Sequence, residues 1–459
     1  MPVFEKKSVM PAPAAAVFQW HGRPGAFERL VPPWQRITVV ERSGGIREGA
    51  RLTMVIRNGP VAVRWEARHS GYREGREFTD EQVSGPFKSW RHTHRFIAQS
   101  GSSSVLHDHI EYAPRLGPAG KLLMGGYTAR LIERMFRFRH AQTSRDLVRL
   151  RAFAGQGPRR IAISGASGMI GTALGHFLEA GGHRVERMVR RAPRPGCAEV
   201  HWDPERGEID AGALDGVDAV VHLSGESVAG GRWTRERREK IVKSRADSTR
   251  LLCETLARLA VKPRVLISAS AIGYYGDCAE EAVCDEGREA GRGFLAEVCR
   301  QWEDATAPAR KAGIRVVNLR IGVVLAARGG ALNRMLPPFS LGFGGRIGTG
   351  KQIMSWVALD DVVGAIHHLI FTAVSGPVNL AAPESVTNAQ FAAALGQVLH
   401  RPALLPLPAP LIRALFGRMG EEMLLYGARV EPKKLLDSGF AFSLPDLAYA
   451  LREELGRED

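Results

Sequence analysis

Hydrophobic and polar positions follow one pattern in the first third of the chain and another in the rest. Strand-like segments separated by glycine-containing turns follow one another from residue 36 to residue 112. From residue 160 onward, short apolar runs alternate with stretches of helical periodicity. The first pattern predicts an antiparallel sheet, and the second predicts a mostly parallel sheet whose strands are connected by helices.

The N-terminal part is predicted to contain one strand, two short helices, a run of antiparallel strands and a long helix, in that order. The first strand covers residues 3–9, the first helix opens near Pro11, and the second ends near Trp34. The later elements are strands at 36–42, 51–57, 61–69, 75–83, 88–98 and 104–112, followed by a helix at about 119–153.

The long helix is predicted to be amphipathic. Leu131, Met135 and Phe138 recur at helical spacing and are expected to form its apolar face, with arginines on another side. A curved sheet wrapped around one long helix tends to leave an apolar cavity between them, and such cavities hold small apolar ligands.

This order of elements resembles the START-like, polyketide-cyclase-like superfamily, whose α+β architecture is the helix-grip fold. The segments Pro11-Ala-Pro-Ala-Ala-Ala-Val-Phe18 and Gly85-Pro-Phe-Lys-Ser-Trp-Arg-His-Thr-His94 carry the resemblance, which covers residues 1–153. It implies a domain that binds a lipid or another hydrophobic molecule. Residues 154–158, Ala-Gly-Gln-Gly-Pro, are rich in turn formers and predict a linker.

Four histidines in the predicted sheet raise the question of a metal. His92 and His94 share one face of a strand, and His107 and His109 share one face of the next. If residues 99–103 form the hairpin turn, the four imidazoles could face each other and bind zinc or copper. The alternative is a pocket wall or surface. Since no cysteine joins them, we favour the alternative, predict no metal site, and expect zinc to leave the melting temperature of this domain unchanged.

The stretch from Ile161 to Gly171 predicts a dinucleotide site. An apolar strand stops at Gly165, two further glycines follow at intervals of three, and a helix runs to about residue 180. The first glycine allows the turn, the second lets a diphosphate approach the backbone, and the third lets helix and strand pack closely. The helix N-terminus adds free N–H groups and a positive dipole end. The turn residues predicted to bind the cofactor are Gly165, Ser167, Gly168, Met169, Ile170 and Gly171.

The alternation of strands and helices continues over residues 159–400 and predicts an α/β, doubly wound parallel sheet of the Rossmann type. The strands are expected at 160–164, 184–189, 198–202, 218–223, 264–269, 314–319 and about 377–381, and the helices at 171–180, about 233–260, about 292–312 and 360–372. Residues 401–459 are expected to form a small C-terminal α/β module on the substrate side, with a helix at 411–417.

These segments resemble the extended and atypical short-chain dehydrogenase/reductases, and within them an uncharacterised epimerase-like subfamily that has such a C-terminal module. The resemblance rests on the glycine turn, His222-Leu-Ser-Gly-Glu226, Ile267-Ser-Ala-Ser-Ala-Ile-Gly-Tyr-Tyr-Gly-Asp277, Asn318-Leu-Arg-Ile-Gly and Pro432-Lys-Lys-Leu-Leu-Asp, and covers residues 160–452. It implies that the cofactor also contacts the small residues after the later strands, at Ser224, Gly225, Glu226 and Ser268.

The end of the second strand of the parallel sheet usually decides between NAD and NADP. Here it reads Val189-Arg190-Arg191, and both arginines could pair with a 2′-phosphate. Glu186 lies mid-strand rather than at the end. The alternative is a solvated basic turn. We favour NADP as the cofactor over NAD.

The catalytic residues depart from the family pattern. These enzymes use a tyrosine as acid/base, a lysine four residues later and a serine that holds the substrate oxygen. Ser270 fits the serine, but Phe294 and Val298 stand where the tyrosine and lysine are expected. Tyr274 or Tyr275 could supply the phenol. Packing against the nicotinamide is the alternative for both. A further acidic pair, Asp360 and Asp361, is expected to cap a helix.

The composition predicts the cellular compartment and argues against some classes of partner. Hydrophobic residues make up 44% of the 459 residues, and five cysteines on no metal-type spacing predict reduced thiols in a cytoplasmic protein. Of the net charge of +15, the first 155 residues carry +12. The basic residues are scattered, so we expect a solvated arginine-rich surface and no nucleic-acid partner. No apolar run is long enough to span a membrane.

The sequence thus predicts an NAD(P)-dependent oxidoreductase or epimerase-like protein that acts on a carbonyl or alcohol substrate, fused to a domain that binds a hydrophobic ligand. The alternative is a dinucleotide-binding sensor or scaffold without turnover, which the missing tyrosine and lysine favour. The substrate and the oligomeric state cannot be predicted from the sequence.

Overall fold

The computed structural model describes residues 1–115 and 117–458, with the side chains of Asn58 and of residues 117–125 left aside. Contacts between residues divide the chain into two compact units. The smaller unit holds residues 1–158 together with 176–182, and the larger holds 159–175 and 183–459. The predicted linker therefore falls at the change from one unit to the other.

The smaller unit contains an antiparallel sheet with strand order β1-β7-β6-β5-β4-β3-β2. This arrangement is the predicted helix-grip type, in which consecutive strands form hairpins and the first strand joins the last. The strands are β1 (Val3–Met10), β2 (Arg36–Ser43), β3 (Arg51–Asn58), β4 (Val61–Arg73), β5 (Glu77–Ser84), β6 (Phe87–Ala98) and β7 (Ser104–Pro114), and the helices are α1 (Ala14–Gly22), α2 (Ala26–Arg29) and α3 (Gly117–Arg151).

The inward face of α3 differs from the prediction. The buried positions Ile132, Phe136, His140, Thr143 and Leu147 recur at helical spacing. Phe138 is also buried, but Leu131 and Met135 are only half-buried. The prediction is confirmed for Phe138, and Met135 packs against a core cluster from its edge. The inward stripe lies one position away from Leu131 and Met135 because it includes polar residues, which a search for apolar spacing alone passes over.

The interior of the smaller unit has an apolar cluster at each end and polar residues between them. One cluster contains Phe96 of β6 and Leu106 of β7, and the other contains Trp90 of β6 and Tyr112 of β7. The inward positions between them on these two strands include His92, His94 and Asp108. The part of the sheet that faces α3 is therefore polar at its centre.

The larger unit is built on a sheet with strand order β11-β10-β9-β8-β12-β13-β15-β19, parallel except for the edge strand β11. The chain runs outward from β8 to β9 and β10, and then returns to place β12 on the other side of β8. The strands are β8 (Arg160–Ser164), β9 (Arg184–Val189), β10 (Glu199–Asp203), β11 (Glu208–Ile209), β12 (Ala219–His222), β13 (Val265–Ala271), β15 (Arg315–Ile321) and β19 (Gly376–Leu380).

Strand order therefore reverses between β8 and β12, which is the point where doubly wound sheets bind ligands. The helices α4 (Met169–Ala180) and α6 (Arg235–Arg258) start near that point. The others in this unit are α5 (Ala211–Leu214), α7 (Phe294–Asp304), α8 (Ala307–Lys311), α9 (Gly330–Ser340), α10 (Leu359–Phe371), α11 (Asn388–Leu399), α12 (Ala409–Gly420), α13 (Lys433–Asp437) and α14 (Leu447–Leu455).

Short strand pairs tie the C-terminal residues to the rest of the larger unit. β14 (Val283–Cys284) pairs with β21 (Arg429–Val430), and the other pairs are β16 (Val323–Ala326) with β18 (Trp356–Ala358) and β17 (Ile353–Met354) with β20 (Val386–Thr387). Residues of α9, α11 and α14 share one apolar core, with Leu332, Phe391 and Leu451 fully or almost fully buried. Residues 401–459 thus complete a core that begins before them.

Among the described residues, no helix is both long enough and apolar enough to cross a membrane.

Candidate functional site

The glycine turn after β8 has the backbone geometry that the sequence predicts. Gly165 has φ of +69°, and a Cβ there would lie 2.8 Å from the carbonyl carbon of Leu223. A Cβ at Gly171 would overlap the carbonyl oxygen of Gly165. The turn is closed by a hydrogen bond from the Gly168 N–H to the Gly165 carbonyl, 2.9 Å long. Only residues without a side chain fit at the first and third positions.

One side of this turn is open, and we call it the cradle; a side chain at Gly168 would narrow it. A Cβ at Gly168 would meet only the carbonyl oxygen of Gly165, at 3.2 Å. Ser167 and Gly168 are exposed, and Met169 and Ile170, which open α4, are half-buried. The N-terminal N–H groups of α4 face this open side, so the residues fit a diphosphate between the turn and the helix.

A buried polar row supports the cradle from inside the sheet. Ser164, His222 and Ser268 are fully buried and lie opposite one another on β8, β12 and β13. The Ser164 hydroxyl lies 2.6 Å from His222 Nδ1, and the Leu223 N–H donates to Ser164 Oγ at 3.2 Å. Burial lowers the pKa of His222 to about 4. The row keeps a neutral imidazole beside the point where the strand order reverses.

The loop after β12 is held by helix α6. The Glu226 N–H donates to Ser244 Oγ at 3.1 Å, and the Glu226 carboxylate pairs with Arg237 at 3.1 Å. Gly225 is exposed and Ser224 is half-buried. The predicted cofactor residues of this loop therefore have a fixed backbone with an open side.

The two arginines after β9 differ in their contacts: Arg191 is held by a carboxylate, and Arg190 is mostly exposed. Arg191 makes two hydrogen bonds to Glu199, of 2.6 and 2.8 Å, and with Arg194 it holds the pKa of Glu199 well below its usual range. Arg190 is 71% exposed, with Glu205 as its ion-pair partner at 3.6 Å. Glu186 is buried against Arg160, with hydrogen bonds of 2.6 and 3.0 Å. The Glu186 carboxylate therefore binds an arginine of the protein itself and does not point to the end of β9.

Ser270 belongs to a buried network. Its hydroxyl donates to Glu303 Oε1 at 2.8 Å, and the same carboxylate accepts two hydrogen bonds from Arg320, of 2.8 and 2.9 Å. Ser270 and Arg320 are each 2% exposed. Glu303 lies on α7, the helix on which the family pattern expects its tyrosine and lysine. It is a polar partner of the serine that sequence reasoning missed, because no spacing rule points to it.

The two tyrosines after β13 differ sharply in their surroundings. The Tyr275 hydroxyl donates to Asn379 Oδ1 at 2.6 Å or to the carbonyl of Asp285 at 2.9 Å, and it accepts from Arg320 at 3.0 Å. Burial raises the pKa of Tyr275 to about 12, and Arg320 offsets only part of this effect. Tyr274 is half-buried and its ring lies under the Arg320 guanidinium, 3.4 Å from the ring centre to Cζ.

The positions of the missing tyrosine and lysine lie at the start of α7. Phe294 packs edge to face on Trp233, with 4.8 Å between ring centres, and Val298 is buried. The first N–H groups of this helix, from Phe294 and Leu295, donate to Glu422 at 3.0 and 2.8 Å. This end of α7 is apolar and capped from the C-terminal residues.

Asp360 and Asp361 lie in the first turn of α10, but the N-cap position is Ala358, so neither aspartate stands at the cap as the sequence analysis expected. The Asp361 carboxylate accepts the N–H groups of Ser443 and Leu444 at 2.8 and 2.9 Å. It therefore anchors the C-terminal residues as well as lying at a helix start. A cavity of about 300 Å³ in this unit is lined by Asp277, Lys351, Gln352 and Arg413, among others.

The four histidines of the smaller unit do not face one another. In the pairing of β6 with β7, His94 lies opposite Asp108 and Thr93 lies opposite His109. Since residues opposite each other point to the same face, His92 and His94 point inward, whereas His107 and His109 point to the other face. The grouping of four imidazoles, which the sequence analysis raised but did not favour, is therefore not formed. Outside, His109 Nδ1 lies 2.9 Å from Glu5.

The inward histidines lie instead against two aspartates. His92 Nε2 lies 3.0 Å from Asp108 and His94 Nε2 lies 3.2 Å from Asp80, both with hydrogen-bond geometry. Burial alone would lower the pKa of His92, but Asp80 and Asp108 outweigh it and raise the value to about 9. Burial would raise the pKa of Asp80, but His92 and His94 hold it well below its usual range.

The fold and the glycine cradle together define a nucleotide-binding protein of the doubly wound type joined to a helix-grip domain. Residues 161–381 match the NAD-dependent epimerase/dehydratase family, and residues 10–138 match the family of polyketide cyclases, dehydrases and lipid-transport proteins. Residues 407–454 match a domain of unknown function.

Similar proteins cover either the larger unit or the whole chain. An epimerase family protein of Mycobacterium bovis is 47% identical over 292 residues, which are 63% of this chain and 96% of that protein. The structure of human epimerase family protein SDR39U1 with NADPH is 35% identical, covers 64% of this chain and 99% of that one, and has a TM-score of 0.60. A structure from Corynebacterium glutamicum described as a nucleoside-diphosphate sugar epimerase is 33% identical, covers 99% and 90% of the two chains, and has a TM-score of 0.79.

The chain belongs to the NAD-dependent epimerase/dehydratase family. It is an NAD(P)-binding epimerase-family protein with an N-terminal domain of the polyketide-cyclase and lipid-transport type.

Proposed function

We propose that the larger unit binds NADP(H) and transfers a hydride between C4 of the nicotinamide and a carbonyl or alcohol carbon of a small substrate. The observation that carries the proposal is the glycine cradle at the point where strand order reverses. The turn between Gly165 and Gly171 would hold the diphosphate, and Ser224, Gly225 and Glu226 would lie along the ribose on the side of β12. When bound, the cofactor supplies or accepts the hydride.

The preference for NADP rests on the end of β9. Arg190 is exposed at the position that meets the adenosine ribose in such sheets, and Arg191 lies beside it with its guanidinium fixed by Glu199. Glu186 is turned inward onto Arg160 and is not the carboxylate that would bind ribose hydroxyls. The human relative has a structure with NADPH. A phosphate beside Arg190 and Arg191 would gain two charge-assisted partners.

Ser270 and Tyr274 are the proposed substrate-side residues. Ser270 lies near the end of β13 and Tyr274 follows this strand, on the side of the sheet where the nicotinamide would lie. Tyr274 is the better proton donor of the two tyrosines, because its ring is half-buried and lies against the cationic Arg320. Tyr275 has its hydroxyl engaged by Asn379 and Arg320, so we assign it the positioning of Arg320 instead.

Titration of the full chain with NADPH and NADH, followed by nucleotide fluorescence, tests the cofactor. We expect tighter binding of NADPH, and a loss of that preference in Arg190→Ala. Arg184→Ala is the matched control, because Arg184 is a similarly exposed arginine at the opposite end of β9. Gly168→Arg should abolish binding of both nucleotides. Equal affinity for NADH and NADPH in the unmodified protein would contradict the proposal for NADP.

A second candidate function is nucleotide binding without turnover. The observation that favours it is that the hydroxyls of Ser270 and Tyr275 already have internal partners, while Phe294 and Val298 give the start of α7 an apolar character. NADPH oxidation over a panel of carbonyl compounds and nucleotide sugars separates the two. Turnover that Tyr274→Phe removes and Tyr275→Phe retains supports the oxidoreductase. Tight NADPH binding with no oxidation over the whole panel supports the sensor.

For the smaller unit we propose binding of a hydrophobic small molecule. Two apolar clusters rich in aromatic rings line its interior on either side of the polar centre. Binding of a hydrophobic dye should persist in Gly168→Arg, since that change is confined to the cradle. Loss of dye binding in that variant, with unchanged circular dichroism, would argue that the two sites depend on each other.

A further inference from the structure

Five buried or half-buried residues meet inside the smaller unit and form what we call the histidine–aspartate cluster. They are Asp80 on β5, His92 and His94 on β6, Asp108 on β7 and His140 on α3. The strand register fixes their common face, because Asp80 lies opposite His92, and His94 lies opposite Asp108. The cluster is thus assembled by three adjacent strands and the helix that covers them.

Three of these residues converge on one point. His92 Nδ1 and His94 Nε2 lie 3.1 and 3.2 Å from the same oxygen, Asp80 Oδ1. One ligand atom from each of Asp80, His92 and His94 lies within 4.8 Å of the other two. Zinc–nitrogen distances of about 2.0–2.1 Å place neighbouring ligand atoms roughly 3.0–3.4 Å apart around the ion. The two short distances fall in that range.

Only two of the short contacts between the rings of His92 and His94 and the carboxylates have hydrogen-bond geometry. Four nitrogen–oxygen approaches join the two rings to Asp80 and Asp108, at 2.7–3.2 Å. His94 Nδ1 has no hydrogen-bond partner although it lies 2.7 Å from Asp108 Oδ1. A shared proton binds along one nitrogen–oxygen line, whereas a cation accepts several ligand atoms that point toward it rather than toward each other. The approach of His92 Nδ1 to Asp80 Oδ1, 3.1 Å, is one of those without hydrogen-bond geometry, and a cation bound by both atoms accounts for it.

Asp108 is placed to orient the rings from behind. It accepts a hydrogen bond from His92 Nε2 at 3.0 Å and one from His140 Nε2 at 2.7 Å. A histidine that binds a metal through one nitrogen usually gives its other N–H to a carboxylate or carbonyl. With Nε2–H on Asp108, His92 presents the lone pair of Nδ1 to the side where Asp80 lies.

The ligand set indicates the kind of ion. Two imidazoles and one carboxylate suit zinc or iron(II) and other first-row divalent ions, whereas calcium and magnesium prefer oxygen ligands alone. Three protein ligands leave further positions for water or a ligand oxygen. The Asp80 side chain is 21% exposed, whereas that of His92 is 2% exposed. An ion would therefore enter past Asp80.

We propose that the smaller unit binds one divalent first-row transition-metal ion through Asp80, His92 and His94, with Asp108 as the residue that orients the imidazoles. The site is separate from the nucleotide cradle and does not depend on the function proposed for the larger unit. It uses only two of the four histidines that the sequence singles out, and it replaces the expectation that this domain holds no metal.

Metal content of the full chain tests this proposal. Protein stripped with EDTA, loaded with Zn²⁺ and dialysed should retain one zinc per chain by mass spectrometry. Asp80→Asn keeps the size of the side chain and should weaken zinc binding by a factor on the order of 100, and Asp108→Asn by roughly 10 to 100. His109→Gln is the control, because His109 and Glu5 form the other histidine–carboxylate group, on the outer face. It should leave the content unchanged.

Spectroscopy of the unmodified protein keeps the test valid if a variant fails to fold. X-ray absorption of the zinc-loaded chain should show two imidazole ligands and oxygen, and Co²⁺ should give the visible bands of nitrogen and oxygen ligands. The proposal is overturned if less than about a tenth of the chains retain zinc, if Asp80→Asn binds as tightly as the unmodified protein, or if His109→Gln loses the metal. Any of these results would leave the cluster as a metal-free network of imidazolium and carboxylate groups.

Discussion

The two units build their polar centres in different ways. In the larger unit the nucleotide cradle is made of backbone, and its walls are glycines whose missing side chains create the space. In the smaller unit the polar centre is made of side chains from β5, β6, β7 and α3 that bind one another. A backbone cradle depends on a few local conformations, whereas the side-chain cluster depends on the register of the whole sheet. The two centres should therefore fail in different ways when single residues change.

The largest effect is expected from the buried ion pair that joins α2 to α3 in the smaller unit. Asp146 is fully buried and accepts two hydrogen bonds from Arg29, of 2.6 and 2.8 Å, and one from Gln142. Asp146→Ala should lower the free energy of unfolding by about 3–5 kcal/mol, because it removes the buried carboxylate that binds the Arg29 guanidinium. Chemical denaturation measures this. Glu133→Ala removes the half-exposed pair with Lys6 and should cost about 1 kcal/mol or less.

If both variants lost the same free energy of unfolding, burial would not distinguish the ion pairs of this unit. The prediction for the smaller unit would then be wrong.

The second-largest effect is expected from a substitution that disrupts the glycine turn of the nucleotide cradle. Gly171→Val places side-chain atoms on the carbonyl oxygen of Gly165 and should weaken NADPH binding more than about 100-fold, or about 3 kcal/mol. Fluorescence titration measures the affinity. Gly175→Ala lies one turn further along α4, where a Cβ has Arg187 at 3.6 Å as its nearest contact, and should bind normally. Unchanged binding by Gly171→Val would show that the backbone turn is not the phosphate site.

A smaller effect concerns pH. Burial lowers the pKa of His222 from its ordinary value of 6.5 to about 4, so the unfolded chain takes up a proton between these values and the folded chain does not. The stability that depends on neutral His222 is present above pH 6.5 and is lost as pH falls toward 4. From pH 7 to pH 5 the loss should be about 2 kcal/mol. His222→Gln should remove that part of the pH dependence in denaturation curves measured at the two pH values.

The smallest effect on cofactor binding is expected at Tyr275. Removing its hydroxyl leaves Asn379 and Arg320 each short of one partner, so Tyr275→Phe should cost about 1–3 kcal/mol of stability. NADPH affinity should stay within a factor of two. Thermal denaturation and nucleotide titration measure both quantities. A large loss of cofactor binding with unchanged stability would place this hydroxyl at the nucleotide and sharpen the assignment of the two tyrosines.

How much the sequence predicts depends on whether a feature is local. The glycine turn is local, and its positive φ at Gly165 follows from the spacing alone. The main strands were also predicted within a few residues. The helix α9 was missed because Pro337 and Pro338 lie inside it. The helices α11 and α14 were missed because their apolar positions pack on other helices of the same core rather than on the main sheet.

The histidine–aspartate cluster was missed although part of its signal is in the sequence. A hairpin turn at residues 99–103 sets Ala98 opposite Ser104, as observed, and counting back from that pair brings His94 opposite Asp108. The same count places His107 and His109 on the other face, so the expected turn already excluded the four-histidine arrangement. Asp80 and His140 could not be found in this way. Asp80 depends on the register of a second hairpin, and His140 depends on how α3 packs.

The closing pair of the antiparallel sheet sets an order of events during folding. Strands β2 to β6 each pair with the next strand along the chain, but β1 pairs with β7, so Val3 can pair only after Glu111 has been made. Closing a loop of that length costs more chain entropy than closing a hairpin. β1 is therefore synthesised before its partner β7 and is among the last strands to join the sheet. Pulse-labelled hydrogen exchange should detect protection of the amides in β4 to β6 before those of β1.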